Sequence, residues 1–192
     1  MPTIKVTDAT VEPITLAQAK LWTRVDTGDE DSLFESLCIP AARQDAERRM
    51  NRTILPTTWR RHDDAFPSGP CIRLHYPLLI SVTHVKYYDP DGVLQTLSPS
   101  SYTPDTASEP ARLCLAPGAS WPATQAGRAN AVEVEYKAGW PDAAAVPATI
   151  KQWVALFAAT LFNNRDLLAQ GVIVSDIKFA DGLLDGYKVW SL

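Results

Sequence analysis

The spacing of apolar residues changes twice along this chain, and no other feature limits the possible fold as strongly. Residues 13–52 show helical spacing, residues 56–136 show strand-like alternation with many glycines and prolines, and helical spacing returns after Pro147. Helices from both ends of such a chain can pack on each other, with the strands inserted between them. We therefore predict an α+β fold with a small helical core (two N-terminal helices plus one C-terminal helix), an inserted antiparallel β region and an extended C-terminal tail.

The length of 192 residues and the hydrophobic content of 46% allow a single domain with a real core. Within this domain we assign four segments. They are the N-terminal helices 13–55, the β insertion 56–140, the core helix 146–168 and the C-terminal tail 169–192.

Capping signals place the helices. Thr15 is a suitable N-cap for a helix over 16–24, and Asp29 or Asp31 can cap a second helix with an arginine-rich last turn. Pro40 lies inside this second helix and should kink or interrupt it.

The third helix opens at Pro147 and carries an apolar stripe of Ile150, Trp153, Val154, Phe157 and Leu161. We expect the stripe to pack on a face of the second helix made of Phe34, Leu37, Cys38, Ala41 and Ala42.

The middle of the chain predicts six strands, which are Thr57 to Asp63, Cys71 to Leu74, Ile80 to Tyr88, Val93 to Leu97, Ala111 to Leu115 and Ala131 to Lys137. In the last strand, valines and a tyrosine alternate with glutamates and a lysine, which predicts one buried and one wet face. The segment Asp89-Pro90-Asp91-Gly92 predicts a hairpin turn, because Pro90 fixes its φ and Gly92 permits a left-handed residue. It also resembles the start of a calcium loop, but the further acidic ligands of such a loop are missing. Residues 98–111 and 116–130 are predicted as surface loops.

The three cysteines, Cys38, Cys71 and Cys114, are an odd number and lie far apart without a CxxC pair. We interpret them as reduced thiols of a cytoplasmic product. The net charge of -4 and the pI near 5.3 argue against a protein that grips nucleic acid through its phosphates. No secretory signal is visible, and the longest apolar run, 153–162, is too short to span a membrane.

Residues that could carry chemistry are few. His62, Asp63 and Asp64 are adjacent on a predicted strand, so their side chains alternate between faces and should not converge. His75 and His84 lie on different strands and could approach each other, but no third metal ligand stands at a recognisable spacing. Familiar enzyme motifs are missing, so we expect no enzymatic activity, no cofactor and no metal. An enzyme would require the three histidines and nearby carboxylates to share one pocket.

The C-terminal tail is unusually apolar for a chain terminus. Its candidate partner-binding residues are Leu183, Leu184, Tyr187, Val189 and Trp190. They can fold back over the helical core, or part of the tail can project and dock on a neighbouring subunit or partner through its aromatic residues.

An ordered set of short motifs resembles the head-tail connector (adaptor, head-completion) proteins of tailed phages. The motifs cover nearly the whole chain and comprise 13–20 with 24–26, the helix from 29 to 52, 58–59, 77–82 with 85–89 and Gly92, 131–136 with 138–139, 146–147, 150–152, Asn164-Arg165, and Leu183-Leu184 with Tyr187. No single motif is specific, whereas their order and spacing together are.

The resemblance implies a helical core with a β insertion, assembled as a homo-oligomeric ring that is commonly dodecameric. Such a ring lies below the portal protein in the virion neck, extends the DNA channel and recruits the stopper or tail-completion protein. A net acidic protein without a basic groove suits a conduit through which DNA passes without specific binding. We expect synthesis in the host cytoplasm and no membrane association.

A second function from another class is a β-platform that binds a carbohydrate or a peptide. It would use the loops Ser98 to Pro110 and Ala116 to Arg128, with Trp121 and Trp140 as stacking surfaces. A ligand-array screen separates it from the connector.

Overall fold

The computed structural model describes residues 2–163 and 178–190 and has the predicted α+β class. The chain forms two compact units. The sheet unit contains residues 1–9 and 56–141, and the helical unit contains residues 10–55 and 142–192. Within the described ranges, no helix combines the length and the apolar character that crossing a bilayer requires.

In the helical unit, α1 spans Leu16–Thr23 and begins with a capping box. Thr15 Oγ1 accepts a hydrogen bond from the Gln18 backbone N–H at 3.2 Å, and Gln18 Oε1 accepts one from the Thr15 N–H at 2.9 Å. These bonds satisfy N–H groups that a helix start otherwise leaves without partners. The predicted N-cap at Thr15 is confirmed, and the helix ends at Arg24 in the left-handed conformation.

The second helical stretch is built from α2 (Asp31–Leu33), a π-helical segment (Phe34–Cys38) and α3 (Ile39–Met50). Pro40 lies in the first turn of α3, where its missing N–H is tolerated, and the π-helical segment before it is the predicted interruption. The predicted aspartate caps are wrong, because Glu30 is the N-cap and no side chain caps it. The Asp31 carboxylate instead pairs with Lys20 Nζ at 2.7 Å.

Helix α4 spans Ala148–Asn163 and packs on α3 and on the π-helical segment. The Phe34 and Phe162 rings stack with their centroids 4.2 Å apart. The predicted contact face is confirmed for Phe34, Cys38 and Ala42 but wrong for Leu37, which is 57% exposed. The wider π turn changes the rotation of the residues that follow it, so regular helical spacing places Leu37 on the wrong side.

The tail contains a helix that the sequence did not predict. Helix α5 spans Lys178–Asp185. Gly182 inside it costs about 1 kcal/mol relative to alanine, but burying Leu184 contributes about 1.5–3 kcal/mol. The tail is therefore only partly extended. Residues 164–168 of the predicted core helix, with Asn164-Arg165, and residues 169–177 of the predicted tail lie outside the described residues.

The sheet unit contains a five-stranded sheet in which every neighbouring pair is antiparallel. In spatial order its strands are β1 (Thr3–Thr7), β2 (Thr57–Asp63), β8 (Val132–Ala138), β4 (Leu79–Tyr88) and β5 (Leu94–Thr96). The sequence prediction missed β1, which pairs with β2 at the edge of the sheet. Ile4 and Val6 on this edge are 48% and 43% exposed, so β1 lacks the apolar burial that reveals a strand in a sequence.

The central strand β8 separates two faces of this sheet. Val132, Val134 and Tyr136 are completely buried, whereas Glu133 and Glu135 lie on the opposite, partly exposed face. The predicted alternation is therefore confirmed. The buried face joins a core cluster that also includes Trp59, Ile72, Leu74, Leu79, Val85, Leu97, Tyr102, Ala111, Leu113 and Ala138.

A second, three-stranded sheet has the order β3 (Cys71–Arg73), β7 (Arg112–Leu115), β6 (Tyr102–Asp105). Strand β6 and a short 3-10 helix, Pro99–Ser101, occupy part of the segment 98–111 that we predicted as a loop. The proline-rich composition suggested a loop, but β6 is an edge strand, where Pro104 is tolerated.

The interpretation of the cysteines as three reduced thiols is wrong for two of them. Cys71 and Cys114 are opposite each other on β3 and β7 and form a disulfide. Their separation of 43 residues hid this pairing in the sequence. Cys38 is buried in the helical unit.

The predicted hairpin of β4 and β5 is confirmed. The Asp89 N–H donates to the Val93 carbonyl at 3.0 Å, and the Gly92 N–H donates to the Asp89 carbonyl at 2.9 Å. Gly92 adopts a φ of 80°, which favours glycine. The Asp89 carboxylate accepts hydrogen bonds from the Gln95 amide and from backbone N–H groups of the turn, and these bonds lower its pKa.

Candidate functional site

The exposed face of the five-stranded sheet carries a group of charged side chains that contact one another. On this face His84 Nε2 contacts Glu133 Oε1 at 2.9 Å, and Arg60 Nη2 contacts Glu135 Oε2 at 2.8 Å. The strand register explains the group, because β2, β8 and β4 place Arg60, Glu135 and His84 in one row. The hydrogen bonds therefore cross three strands.

Three of these side chains could together hold a metal ion by their positions. One atom each from His84, Glu133 and Glu135 lies within 4.8 Å of the others. However, the Arg60 guanidinium lies 2.8 Å from Glu135 and 3.5 Å from Glu133, so both carboxylates already have a cationic partner. Partial burial alone would raise the pKa of Glu133, but His84 and Arg60 together hold it below its usual value. The arrangement is an ion-pair network.

The three histidines do not share one site. His62 and His84 lie on the exposed face, on the two strands that flank β8. His75 lies beyond β3, its Nδ1 is 3.2 Å from Thr3 Oγ1, and its carbonyl accepts a hydrogen bond from the buried Tyr136 hydroxyl. Burial lowers the pKa of His75 and raises that of Tyr136. The convergence that an enzyme would require is therefore absent for His75.

Asp63 has a structural environment that the sequence analysis missed. It is 5% exposed and forms a two-point ion pair with Arg61, at 2.7 Å and 2.9 Å. Arg61 also donates a hydrogen bond to the carbonyl of Arg73. The signal available in the sequence was the i,i+2 spacing, which places both side chains on one face of a strand. His62 lies on the other face, as predicted.

The two tryptophans of the alternative β-platform are both partly buried. The Trp121 ring stacks on Phe66 with centroids 4.9 Å apart, and its Nε1–H donates to the Gly69 carbonyl at 3.0 Å. Trp140 is half-buried. Trp121 therefore uses one ring face and its N–H group within its own unit.

The structure places the five predicted partner-binding residues in different environments. Leu184 is completely buried, Leu183, Tyr187 and Val189 are partly buried, and Trp190 is 78% exposed. The Val189 N–H donates to the Met50 carbonyl at 2.9 Å, and Arg52 Nε donates to the Tyr187 carbonyl at 3.0 Å. The chain thus folds back along the end of α3, and Trp190 extends from the anchored part.

The helical unit exposes further large apolar side chains that the sequence analysis did not single out. On α1, Leu21 is 78% exposed and Trp22 is 46% exposed. A cavity of about 580 Å³ lies beside α1, and Leu16, Leu21 and Val25 are among the residues that line it. Exposed side chains of this size mark docking surfaces when they are grouped. The weak amphipathic pattern of α1 gave a clue, because its apolar residues occur around the whole helix.

No protein-family model and no curated protein matches the sequence. Solved structures with a similar fold do exist. A chain from the neck of an empty gene transfer agent particle, with C6 symmetry, is 21% identical, with a TM-score of 0.80. A chain from the virion of a native gene transfer agent particle is 21% identical, with a TM-score of 0.79, and one from the native neck with C12 symmetry is 20% identical, with a TM-score of 0.76. Each comparison covers 100% of this chain and 97% of the other. The described part of the chain therefore has the fold found in these particle structures.

Proposed function

We propose that this protein is a structural virion protein of the head-tail junction, where it forms a subunit of the connector ring. The observation that carries the proposal is the fold likeness to a particle-neck chain, with a TM-score of 0.80 over 100% of this chain and 97% of the other. The role requires binding surfaces and no catalysis.

Ring formation is supported by the distribution of exposed apolar side chains. A closed ring of identical subunits needs heterologous contacts, in which two different patches of each subunit meet. The helical unit offers one patch on α1 around Leu21 and Trp22, and Leu37 of the π-helical segment, 57% exposed, supplies a second exposed apolar side chain. The neck structures of similar fold have C6 and C12 symmetry. We infer a homo-oligomeric ring for this chain too, with a dodecamer as the expected form.

The portal protein and the stopper or tail-completion protein are the partners we propose for the two sides of this ring. The tail supports the portal contact, because its anchored part fixes the direction in which Trp190 extends. The portal contact would also include three partly buried tail residues, which are Leu183, Tyr187 and Val189. Buried Leu184 anchors this part of the tail to the core of the helical unit. DNA passes through the ring without sequence-specific binding, which fits the net charge of -4.

The experiment that tests the proposal is native mass spectrometry and negative-stain electron microscopy of the purified protein, alone and mixed with its portal protein. We expect rings that bind the portal. Leu21→Ser should weaken the ring, whereas Leu94→Ser, which changes a leucine that is 50% exposed in the sheet unit, should leave it intact. A protein that remains monomeric in all conditions and does not bind the portal would contradict the proposal.

A further inference from the structure

A second cavity, of about 450 Å³, lies on the exposed face of the five-stranded sheet. Its lining includes the cationic side chains Arg60, Lys86 and Arg128, the rings of His62 and Tyr88, and the carboxylate of Glu133. All of these residues belong to the sheet unit of one chain. The function proposed above assigns no role to this cavity.

The charges of this lining are unbalanced in a protein whose net charge is -4. Three cationic side chains face the cavity with one carboxylate, Glu133, which His84 and Arg60 already contact. Glu135 does not line the cavity, but it pairs with Arg60 and so offsets part of the positive charge of Arg60. The cavity therefore has an excess of between one and two positive charges.

Two of the cations are available to a ligand. Among the residues that the structure describes, Lys86 has no hydrogen-bond or ion-pair partner for its ammonium group. The Arg128 guanidinium lies 3.4 Å from the centroid of the Tyr88 ring and donates one hydrogen bond to Gln125 Oε1 at 3.1 Å. Arginine has five N–H donors, so a stacked arginine with one such bond can still bind an oxyanion.

The Arg128 side chain is held in place by the loop that carries it. The Gln125 N–H donates to the Tyr88 carbonyl at 3.0 Å, which joins the loop to the end of β4. The Gln125 amide also lies close to Gly92 of the hairpin turn, where an added Cβ would be 3.1 Å from Gln125 Nε2. Turn, loop and ring together fix the guanidinium before any ligand arrives, which reduces the entropy cost of binding.

We propose that this cavity binds a phosphate group. A phosphodiester carries one negative charge and a phosphate monoester about -1.5 to -2 at neutral pH, which matches the excess of the lining. Arginine and lysine are the side chains that recognise phosphate oxygens through charge-assisted hydrogen bonds. Arg128 and Lys86 bind the oxygens, and Arg60 adds positive potential from β2, on the other side of β8.

The experiment is equilibrium dialysis of the full-length protein with radiolabelled inorganic phosphate at constant ionic strength. We expect saturable binding to the wild type and an affinity at least about tenfold lower for Lys86→Gln and for Arg128→Gln, since each removes a charge-assisted bond. Lys137→Gln is the matched control. This lysine is exposed on the same face, opposite Thr58 and Ser81, and does not line the cavity. Its substitution should leave the affinity unchanged.

Two competition arms identify the source of the phosphate group. A short DNA duplex that displaces inorganic phosphate from the wild type supports a phosphodiester of DNA as the ligand, and a duplex that does not displace it supports a small free phosphate. Arg128→Lys keeps the charge and should retain part of the affinity even if Arg128→Gln perturbs the loop. Three results would overturn the proposal. They are no phosphate binding at all, an equal loss of affinity in the Lys137 variant, and displacement of phosphate by an equal concentration of a glutamate peptide. Ring formation and portal binding are measured separately, so the two proposals can fail independently.

Discussion

Arg43 provides the sharpest test of how the helical unit is held together. It lies on α3, is 2% exposed, and its Nε is 2.9 Å from Glu12 Oε2 while its Nη1 is 3.2 Å from Glu47 Oε2. Glu47 Oε1 in turn accepts a hydrogen bond from the Ile54 N–H at 2.9 Å. One guanidinium thus connects the segment before α1, helix α3 and the segment after it.

Arg43→Met removes the charge and keeps most of the side-chain volume. It leaves two carboxylates near each other, with Glu12 and Glu47 side chains only 24% and 11% exposed. Removing one partner of a buried ion pair costs about 3–5 kcal/mol. Because Glu12 can still reach water, we expect the free energy of unfolding to fall by about 3 kcal/mol, near the lower limit.

The matched control is Arg48→Met on the same helix. Arg48 is an ion-pair partner of Asp45, but its side chain is 75% exposed, so its loss should cost no more than about 1 kcal/mol. Urea denaturation followed by circular dichroism gives both values. A second variant, Arg43→Met with Glu12→Gln, should recover part of the loss because it removes one of the stranded charges. Equal effects of the two single substitutions would refute the argument.

Three further outcomes follow from the same structure. Cys114→Ser opens a disulfide that closes a separation of 43 residues, and loop-closure entropy of a segment of this size predicts a loss of about 4 kcal/mol, measured by denaturation with the oxidised wild type as reference. Leu184→Ala should destabilise the protein by about 2–5 kcal/mol, whereas Trp190→Ala should leave the melting temperature unchanged and weaken portal binding; the reverse pattern would contradict the roles given to the tail. Hydrogen bonds from Ser108, and then from Arg112, lower the pKa of Asp105 to about 2, so this carboxylate stays ionised in acid and its contribution is lost only as the pH falls towards that value. Ser108→Ala should raise the pKa of Asp105 in an NMR titration, and an unchanged value would show that the Ser108 bond is not formed in solution.

The sequence predicted those elements whose residues alternate between core and solvent. β8 was found because Val132 and Val134 are buried and Glu133 is not, and α1 was found because Thr15 caps it. The sequence prediction missed β1 because its side chains are mostly exposed. A strand at a sheet edge is fixed by backbone hydrogen bonds, which leave no apolar pattern in the sequence. The sequence prediction missed the disulfide because the sequence of neither strand alone determines the register between two distant strands.

The candidate sites show the same difference. The apolar character of the tail residues is visible in the sequence, but only the fold distinguishes buried Leu184 from exposed Trp190. The cations around Arg128 are spread over more than sixty residues of the chain between Arg60 and Arg128, and strand pairing gathers them. A binding site made of cationic side chains from separate strands cannot be found from the spacing of residues along the chain.

The pairing of β1 with β2 also describes the chain in another way. Thr7 is opposite Thr58, so these two strands form a hairpin whose loop is the whole of α1, α2 and α3. Either unit is assembled from two separate pieces of sequence, and the ribosome must release β8 before the large sheet can close. Fragments cut at a single boundary will therefore lack a strand or a helix, and a transplantable sheet unit requires residues 10–55 to be replaced by a short turn that joins Ala9 to Pro56.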